Sequence, residues 1–315
     1  MRLLHAETRT LHQFFGDDIP PYAALSHTWE AQELTFDDIP RSGSVPSNLK
    51  IDGCCEQTLA YHFKWVWIDT ICIDKSSSAE LTEAINSMYA WYERSKLCFA
   101  YLSDVEATVD LTSPGSEFYR SRWFTRGWTL QELVAPATVL FFNKHWKYVG
   151  SKGKLVGAAD LTPILARITR VPQDVLRRNA SRKSVSIASR MTWAAGRRTT
   201  RIEDMAYCLL GIFDVNLPML YGEGSRAFLR LQEEIIRNSD DESIFAWGFD
   251  QLIADSFRLR GRAQVNASTL LASSPADFAG CRNLRPLSAH HSWFKSYYST
   301  HYAMTNKGLL IERPI

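Results

Sequence analysis

The chain has 315 residues, a length typical of two domains or of one large domain with additions. Hydrophobic residues make up 45% and charged residues 22%, which excludes a disordered chain, and a net charge of +2 gives no reason to expect nucleic-acid or membrane binding. The first fifteen residues hold scattered charges and no apolar core, so they are not a secretory signal. No apolar run approaches the roughly 18 residues of a spanning helix. We therefore expect a cytoplasmic globular protein.

The cysteine pattern indicates reduced thiols. The six cysteines form no Cys-x-x-Cys pair, and several lie inside apolar runs where a free thiol behaves as a small hydrophobe: Cys54, Cys55, Cys72, Cys98, Cys208 and Cys281. We predict neither disulfides nor a metal site.

The first half of the chain alternates strand-like and helix-like segments. Short runs rich in apolar, β-branched and aromatic residues predict strands at 22–25, 65–73, 97–102 and 138–142. A capping box at Ser77-Ser78-Ala79-Glu80 predicts a helix start, and residues 122–134 predict a further helix that Pro136 ends. This alternation is typical of an α/β fold with a parallel sheet covered on both faces.

The second half is predicted to be a helical extension followed by a small mixed region. Helices are expected at 185–193, at 202–210 between a capping box beginning at Thr200 and a stop at Gly211, and at 228–236. Beyond Asp250 we expect a short helix at 275–279 and strands near Tyr302 and 309–311. A chain that stops in a strand is typical of a piece of a longer protein. The predicted domains are 1–150, 151–250 and 251–315.

Three segments of the first half carry a resemblance to a known family. They are Tyr22-Ala23-Ala24-Leu25-Ser26-His27-Thr28-Trp29, Trp67-Ile68-Asp69-Thr70-Ile71-Cys72-Ile73-Asp74 and Ser121-Arg122-Trp123-Phe124-Thr125-Arg126-Gly127-Trp128-Thr129-Leu130-Gln131-Glu132-Leu133. In order and spacing they resemble the motifs of the fungal heterokaryon incompatibility (HET) domain. Residues 203–214 and 221–224 look like the segment that follows it in one large subgroup. Glu30 departs from the usual glycine, and Asp74-Lys75 departs from the commoner Asn/Asp-Gln.

The resemblance implies a function and a residue to test. The family is associated with non-self recognition and programmed cell death, and it is distantly similar to Toll/interleukin-1 receptor (TIR) domains. Some TIR domains cleave NAD+ through a helix glutamate in a Trp-Cys-Leu-x-Glu-Leu pattern, which Trp128-Thr129-Leu130-Gln131-Glu132-Leu133 matches in shape. By this local match Glu132 is the expected catalytic residue of a TIR-like sheet. NAD+ would be a substrate, and no bound cofactor is expected.

The residue types fit that chemistry. Nicotinamide departs neutral, so its removal needs a carboxylate for the oxocarbenium-like charge rather than strong acid catalysis. Ligands of open α/β sheets sit beyond the carboxyl ends of strands, and aromatic faces bind cations. The expected substrate-binding residues are Ser26, His27, Thr28, Trp29, Asp69, Asp74 and Trp128, with Trp123 as a further aromatic candidate.

Structural alternatives stand beside each assignment. Glu132 could simply pair with a tertiary partner, His27 could be a core or capping histidine, and Asp69 within its strand could brace the Ser26 loop. For Cys72 we favour a buried inert thiol over a nucleophile. Gly222-Glu223-Gly224 indicates a turn before a helix, not a phosphate loop.

The basic stretch and the family resemblance each bear on possible partners. The basic stretch comprises Arg167, Arg170, Arg177, Arg178, Arg182, Lys183, Arg190, Arg197, Arg198 and Arg201, and we favour a solvated helical surface over a nucleic-acid site. The family resemblance implies self-association and an upstream sensor protein or domain. The domain could therefore kill by cleaving NAD+, or by non-enzymatic homotypic assembly.

Overall fold

The computed structural model describes residues 1–40, 43–106, 111–153, 159–248, 270–284, 302–305 and 308–311. The chain divides into two compact units, Met1–Asn179 and Ala180–Ile315. The predicted three-part division stays a prediction.

The first unit is built on one seven-stranded mixed sheet. Its strands are β1 (Arg2–His5), β2 (Leu11–Gln13), β3 (Tyr22–His27), β4 (Trp65–Trp67), β5 (Leu97–Leu102), β6 (Val139–Asn143) and β7 (Tyr148–Lys152). Their order is β2-β1-β4-β3-β5-β6-β7. The four central strands, β4, β3, β5 and β6, are parallel, while β1, β2 and β7 add antiparallel edges. The predicted α/β class is confirmed.

Burial on both faces explains why the central strands are continuous apolar runs. Every residue of β3 and of β6 is buried, as are all but the first of β5. The helices of this unit are α1 (Leu49–Ala60), α2 (Asp69–Cys72), α3 (Ser78–Arg94), α4 (Glu117–Arg120), α5 (Thr129–Val134), α6 (Thr162–Thr169) and α7 (Gln173–Leu176). Helix α3 buries Ala84, Ile85, Met88, Tyr89 and Tyr92.

The predicted capping box at the start of α3 is half present. The Ser77 hydroxyl accepts from the Glu80 amide at 3.3 Å. The Glu80 carboxylate accepts instead from the Asp74 amide at 2.9 Å and pairs with Arg2. Glu80 therefore ties the loop before α3 to the edge strand β1.

The predicted strand 65–73 is wrong in its second half. The strand ends at Trp67, and the chain turns into α2, where the Cys72 amide donates to the Ile68 carbonyl at 2.8 Å. A short apolar run does not distinguish a buried strand from a buried helical turn. Asp69 therefore begins a helix, and Asp74 does not follow a strand. The predicted helix 122–134 is likewise split into a 3-10 turn, Arg122–Thr125, and α5.

The second unit holds α8 (Ile187–Thr192), α9 (Asp204–Tyr207), α10 (Leu210–Phe213), α11 (Arg226–Asn238) and a hairpin of β8 (Tyr302–Thr305) and β9 (Gly308–Ile311). Helix α11 buries four of the five residues predicted for its apolar face, Phe228, Leu231, Ile235 and Ile236, whereas Leu229 is 37% exposed. The predicted stop at Gly211 is wrong, because Gly211 lies inside α10, which ends at the left-handed Asp214. The predicted short helix at 275–279 is a 3-10 turn over Pro275–Phe278.

Candidate functional site

The candidate site lies where the order of the parallel strands reverses. From β3 the chain crosses through α1 to β4 on one side, and from β4 through α3 to β5 on the other side of β3. In open α/β sheets the crevice at such a switch point, beyond the carboxyl ends of the strands, is where ligands bind. Ser26 and His27 end β3 at this point, and Asp69 follows β4.

A buried inner group joins the first and third motifs. The Ser26 hydroxyl donates to Glu132 Oε2 at 2.5 Å, and the Trp123 indole nitrogen donates to Ser26 Oγ at 2.8 Å. All three side chains are buried, and Glu132 is only 6% exposed. We call Ser26, Trp123 and Glu132 the inner group. These two hydrogen bonds connect three separate elements, because Ser26 belongs to β3, Trp123 to the 3-10 turn and Glu132 to α5.

Tyr92 of α3 lies beside the inner group. Its hydroxyl donates to the Leu25 carbonyl at 2.9 Å. Burial, reinforced by the negative charges of Glu132 and Asp69, raises the pKa of Tyr92 well above its usual value. The hydroxyl is therefore neutral, and it keeps its single donor proton next to the Glu132 carboxylate.

A more accessible outer group surrounds the ring of Trp29. The Trp29 indole nitrogen donates to Asp69 Oδ2 at 3.0 Å, and Lys75 Nζ lies 3.6 Å from the centroid of the Trp29 ring. The same ammonium is 3.8 Å from Asp69 Oδ2. Trp29 is 43% exposed. Trp29, Asp69 and Lys75 form the outer group, in which a carboxylate and an aromatic face share one cation.

His27 lies between two carboxylates. Its Nε2 is 3.4 Å from Glu33 Oε1, its Nδ1 is 3.9 Å from Asp69 Oδ1, and its side chain is 1% exposed. Lys50 pairs with Glu33 at 2.8 Å and approaches the Thr28 carbonyl at 3.4 Å. Burial alone would raise the pKa of the Glu33 carboxyl, but His27, Lys50 and the Glu30 amide lower it to about 2. Glu33 is therefore ionised at any physiological pH.

The structure brings together most of the predicted site residues. Ser26 and Glu132 are in contact, His27 and Trp29 both lie against Asp69, and Thr28 contributes its carbonyl. Trp123 is present as a buried donor rather than as an exposed aromatic face.

Asp74 and Trp128 do not join these groups. The Asp74 carboxylate accepts from the Ser76 amide at 2.9 Å and from its hydroxyl at 2.6 Å, which makes it a turn residue. Trp128 is half-buried and precedes α5. Within the described residues it makes no hydrogen bond or ring contact to either group.

Three charged residues near the site were missed by sequence reasoning. Lys75 stood out only as a departure from the usual motif, and its place over Trp29 was not expected. Glu33 and Lys50 carried no signal, because single charges at a loop and a helix start match no pattern. Lys50 lies at the start of α1, which packs against β4, and its ammonium reaches Glu33 and the Thr28 carbonyl only in the folded chain.

A buried lysine supports the helix that carries Glu132. Lys152 of β7 is fully buried, and its ammonium donates to the carbonyls of Leu133 at 2.7 Å and Pro136 at 2.5 Å. These are carbonyls at the end of α5 that the helix cannot satisfy itself. Burial lowers the pKa of Lys152 to about 7. Lys152 thus fixes the end of α5 one residue from Glu132.

The Cys72 thiol is not an activated nucleophile near the site. All six cysteines are buried and none is in a disulfide, and burial raises the pKa of Cys72 to about 12, so its thiolate does not form near neutral pH. The described residues contain no cluster of three or more histidine, cysteine, aspartate or glutamate side chains suited to a metal ion.

In the second unit a carboxylate closes the glycine turn. Glu203 Oε1 accepts from the amides of Gly222 at 2.9 Å and Gly224 at 3.0 Å. Both glycines have positive φ, 103° and 63°, where a side chain would be strained. The segment is therefore a turn held by Glu203, as the sequence predicted in rejecting a phosphate loop.

Much of the basic stretch is used within the chain. Arg177 pairs with Asp160 at 2.9 Å and Arg178 with Glu93 at 2.7 Å, while Arg182 and Lys183 both contact Asp214. Arg190 and Arg197 are buried and donate to backbone carbonyls. These contacts leave a smaller basic surface than the sequence displays. The described helices are all too short or too polar to cross a bilayer.

Comparisons with known proteins address the first and last parts of the chain. Residues 22–114 match the family described as heterokaryon incompatibility protein (HET), and residues 226–314 match a domain of unknown function, DUF8212. The chain is 42% identical over 250 residues to the vegetative incompatibility protein HET-E-1 of Podospora anserina. That alignment covers 75% of this chain and 18% of the relative. No solved structure matches.

Proposed function

Because this chain is a heterokaryon incompatibility (HET) domain protein, we propose that it acts in fungal non-self recognition and that its first unit triggers cell death. The chain spans about a fifth of its relative's length, 18%, so the proposal concerns the part that the two share. We place the activity in the cytoplasm.

The proposed reaction is the hydrolysis of NAD+ at the bond between nicotinamide and ribose, with Glu132 as the catalytic carboxylate. The hydrogen bond between Ser26 and Glu132 is the observation that carries this proposal. Through this bond the Glu132 carboxylate lies at the end of β3, beside the sheet's switch point. Ligands of this fold class bind at that edge.

Hydrolysis of this bond requires a carboxylate but no strong acid catalyst. The glycosidic bond breaks, nicotinamide leaves as a neutral molecule, water adds to the ribose carbon and a proton is released. Glu132 would stabilise the positive charge that develops on the ribose. The Ser26 hydroxyl occupies one acceptor position of the carboxylate, and a ribose hydroxyl that binds at Oε2 would compete with it.

The burial of Glu132 connects catalysis to assembly. A carboxylate that is 6% exposed and already bonded does not meet a dinucleotide without some opening of the inner group. We propose that self-association, prompted by an upstream sensor protein or domain, supplies that opening. The resting protein would then be inactive.

The same burial favours a second candidate function. If Glu132 serves only to link α5 to β3 through Ser26, the motif residues are structural and death follows from homotypic assembly without chemistry. The two functions share the family, the fold and self-association. They differ in whether the charge of Glu132 matters.

The deciding experiment measures NAD+ consumption by the purified protein at high concentration. The parent, Glu132→Gln and a matched control, Glu83→Gln on the exposed face of α3, are compared in one assay, with assembly followed in the same samples by light scattering. Consumption by the parent and the control but not by Glu132→Gln supports the hydrolase. An assembled parent that leaves NAD+ intact while killing cells contradicts it and favours the assembly module.

A further inference from the structure

The Trp29 ring already binds a cation, and that cation belongs to the protein. Lys75 Nζ lies 3.6 Å from the ring centroid, within the range of a cation–π interaction. The indole is fixed in place because its nitrogen donates to Asp69 Oδ2 at 3.0 Å. The ring and the carboxylate thus present a preformed cation site at the ligand edge of the sheet.

An ammonium is poorly suited to this site. Lys75 Nζ is buried, yet within the described part of the chain it has no hydrogen-bond partner. Its nearest carboxylate contact, Asp69 Oδ2, is 3.8 Å away, beyond hydrogen-bond distance. An ammonium has three donors to satisfy, and leaving them unmet in a buried position is costly. Burial accordingly lowers the pKa of Lys75, although Asp69 and Glu33 oppose this effect.

A cation without N–H donors would leave no hydrogen-bond donor unsatisfied in this site. In an N-alkylated pyridinium the positive charge is spread over a ring and carries no hydrogen-bond donor of its own. Such a cation gains from the indole face and the nearby carboxylate without unmet donors. The site is better matched to an organic cation of this class than to its present occupant.

We propose that Trp29 and Asp69 form a binding site for an aromatic organic cation, the N-alkyl pyridinium class, and that Lys75 occupies this site in the free protein. Lys75 is then a built-in competitor that the ligand displaces. The inference rests on the proposed function only in making the pyridinium of NAD+ the natural ligand.

The test uses the full chain and two small probes that differ mainly in charge. One is 1-methylnicotinamide, a pyridinium cation, and the other is neutral nicotinamide. Calorimetry measures the dissociation constant of each for the parent, Lys75→Gln and Trp29→Leu. Removing the competing ammonium should tighten binding of the cation about tenfold, the range of one cation–π contact, and should leave nicotinamide within about twofold.

The Trp29→Leu chain should lose cation binding, and thermal unfolding checks that it is folded. Trp29→Phe, which keeps an aromatic face, should restore part of the binding if Trp29→Leu is unfolded. Equal cation affinity in the parent and in Lys75→Gln would overturn the proposal, as would nicotinamide binding as tightly as the cation.

The outcomes separate this site from the hydrolase. If the cation binds as expected but no NAD+ is consumed, the site stands and the hydrolase fails. If Glu132-dependent consumption is found while Lys75→Gln leaves cation affinity unchanged, the hydrolase stands and the role of Lys75 fails.

Discussion

The two units each contain a buried glutamate in a motif, and the two glutamates have different kinds of partner. Glu132 in the first unit is 6% exposed and accepts from the Ser26 hydroxyl. Glu203 in the second unit is 7% exposed and accepts from the backbone amides of Gly222 and Gly224. Sequence and burial alone do not tell these residues apart.

The partner decides what each carboxylate can do. Backbone amides in a left-handed turn cannot move without unfolding the turn, so Glu203 is a fixed clamp. The Ser26 hydroxyl can leave Glu132 by rotation about one side-chain bond, and a ribose hydroxyl offers the same donor and acceptor, so a ligand can take its place. We infer that an exchangeable partner, rather than burial, distinguishes a carboxylate available for chemistry.

The largest expected effect separates the two glutamates by activity. Under the proposed hydrolase, Glu132→Gln lowers NAD+ consumption about 10²–10³-fold, because a preorganised charge facing the transition state is lost. Glu203→Gln in the same assay keeps at least about half of the parent rate. An equal loss of NAD+ consumption in both variants would show that Glu132 and Glu203 do not differ in role.

The next effect is on stability and concerns the clamp. Glu203→Ala leaves the amides of Gly222 and Gly224 without their acceptor, which should lower the free energy of unfolding by about 2–3 kcal/mol. Urea denaturation measures the loss, and faster amide hydrogen exchange at 222–224 locates it. A variant as stable as the parent would show that the turn holds itself.

A smaller effect is the contribution of Lys152 to the pH dependence of the free energy of unfolding. Burial lowers the pKa of Lys152 to about 7, whereas an unfolded lysine titrates near 10.4. Between these values the unfolded chain binds a proton that the folded chain does not, so stability rises with pH through this window. From pH 7 to 8.5 the parent should gain about 1.5 kcal/mol relative to Lys152→Met.

Urea denaturation of both chains across that range provides the check. The difference between the two chains cancels the contributions of buried cysteines such as Cys54 and Cys72, whose raised pKa values act in the opposite direction at higher pH. Parallel curves for the two chains would mean that Lys152 does not titrate in this range.

The smallest effect is the stability change of Glu132→Gln itself. The amide oxygen of glutamine still accepts from Ser26, so the free energy of unfolding should change by less than about 1 kcal/mol. Ser26→Ala removes the donor and leaves Trp123 without its acceptor, and should cost more. A larger loss for the glutamine variant, measured in urea, would show that its activity defect is a folding defect.

The sequence could predict the central strands β3, β5 and β6, because apolar runs bounded by polar clusters are local signals, whereas the edge strands β1, β2 and β7 were not predicted. Ser26 could be placed at a ligand edge from the rule for strand ends alone. Glu132 entered through the family resemblance, since nothing local marks a glutamate in a mostly apolar helix as functional. The contact between Ser26 and Glu132 depends on the tertiary structure and cannot be predicted from either segment alone.

The errors have a physical source as well. Ile68, Ile71 and Ile73 read equally well as a buried strand or a buried helical turn, so the end of β4 was misplaced and Asp74 was assigned to the site in addition to Asp69. Glu33, Lys50 and Lys75 acquire their roles from charges contributed by distant segments. No window along the chain contains that information.

The bond between Ser26 and Glu132 joins residues that are 106 positions apart. A growing polypeptide therefore has no inner group until α5 has left the ribosome and packed against β3, with Lys152 of β7 emerging later still. For a protein proposed to kill the cell that makes it, this order of events matters. Under the proposed hydrolase, an incomplete chain has no assembled inner group and therefore no activity, so only molecules whose first unit has folded would consume NAD+.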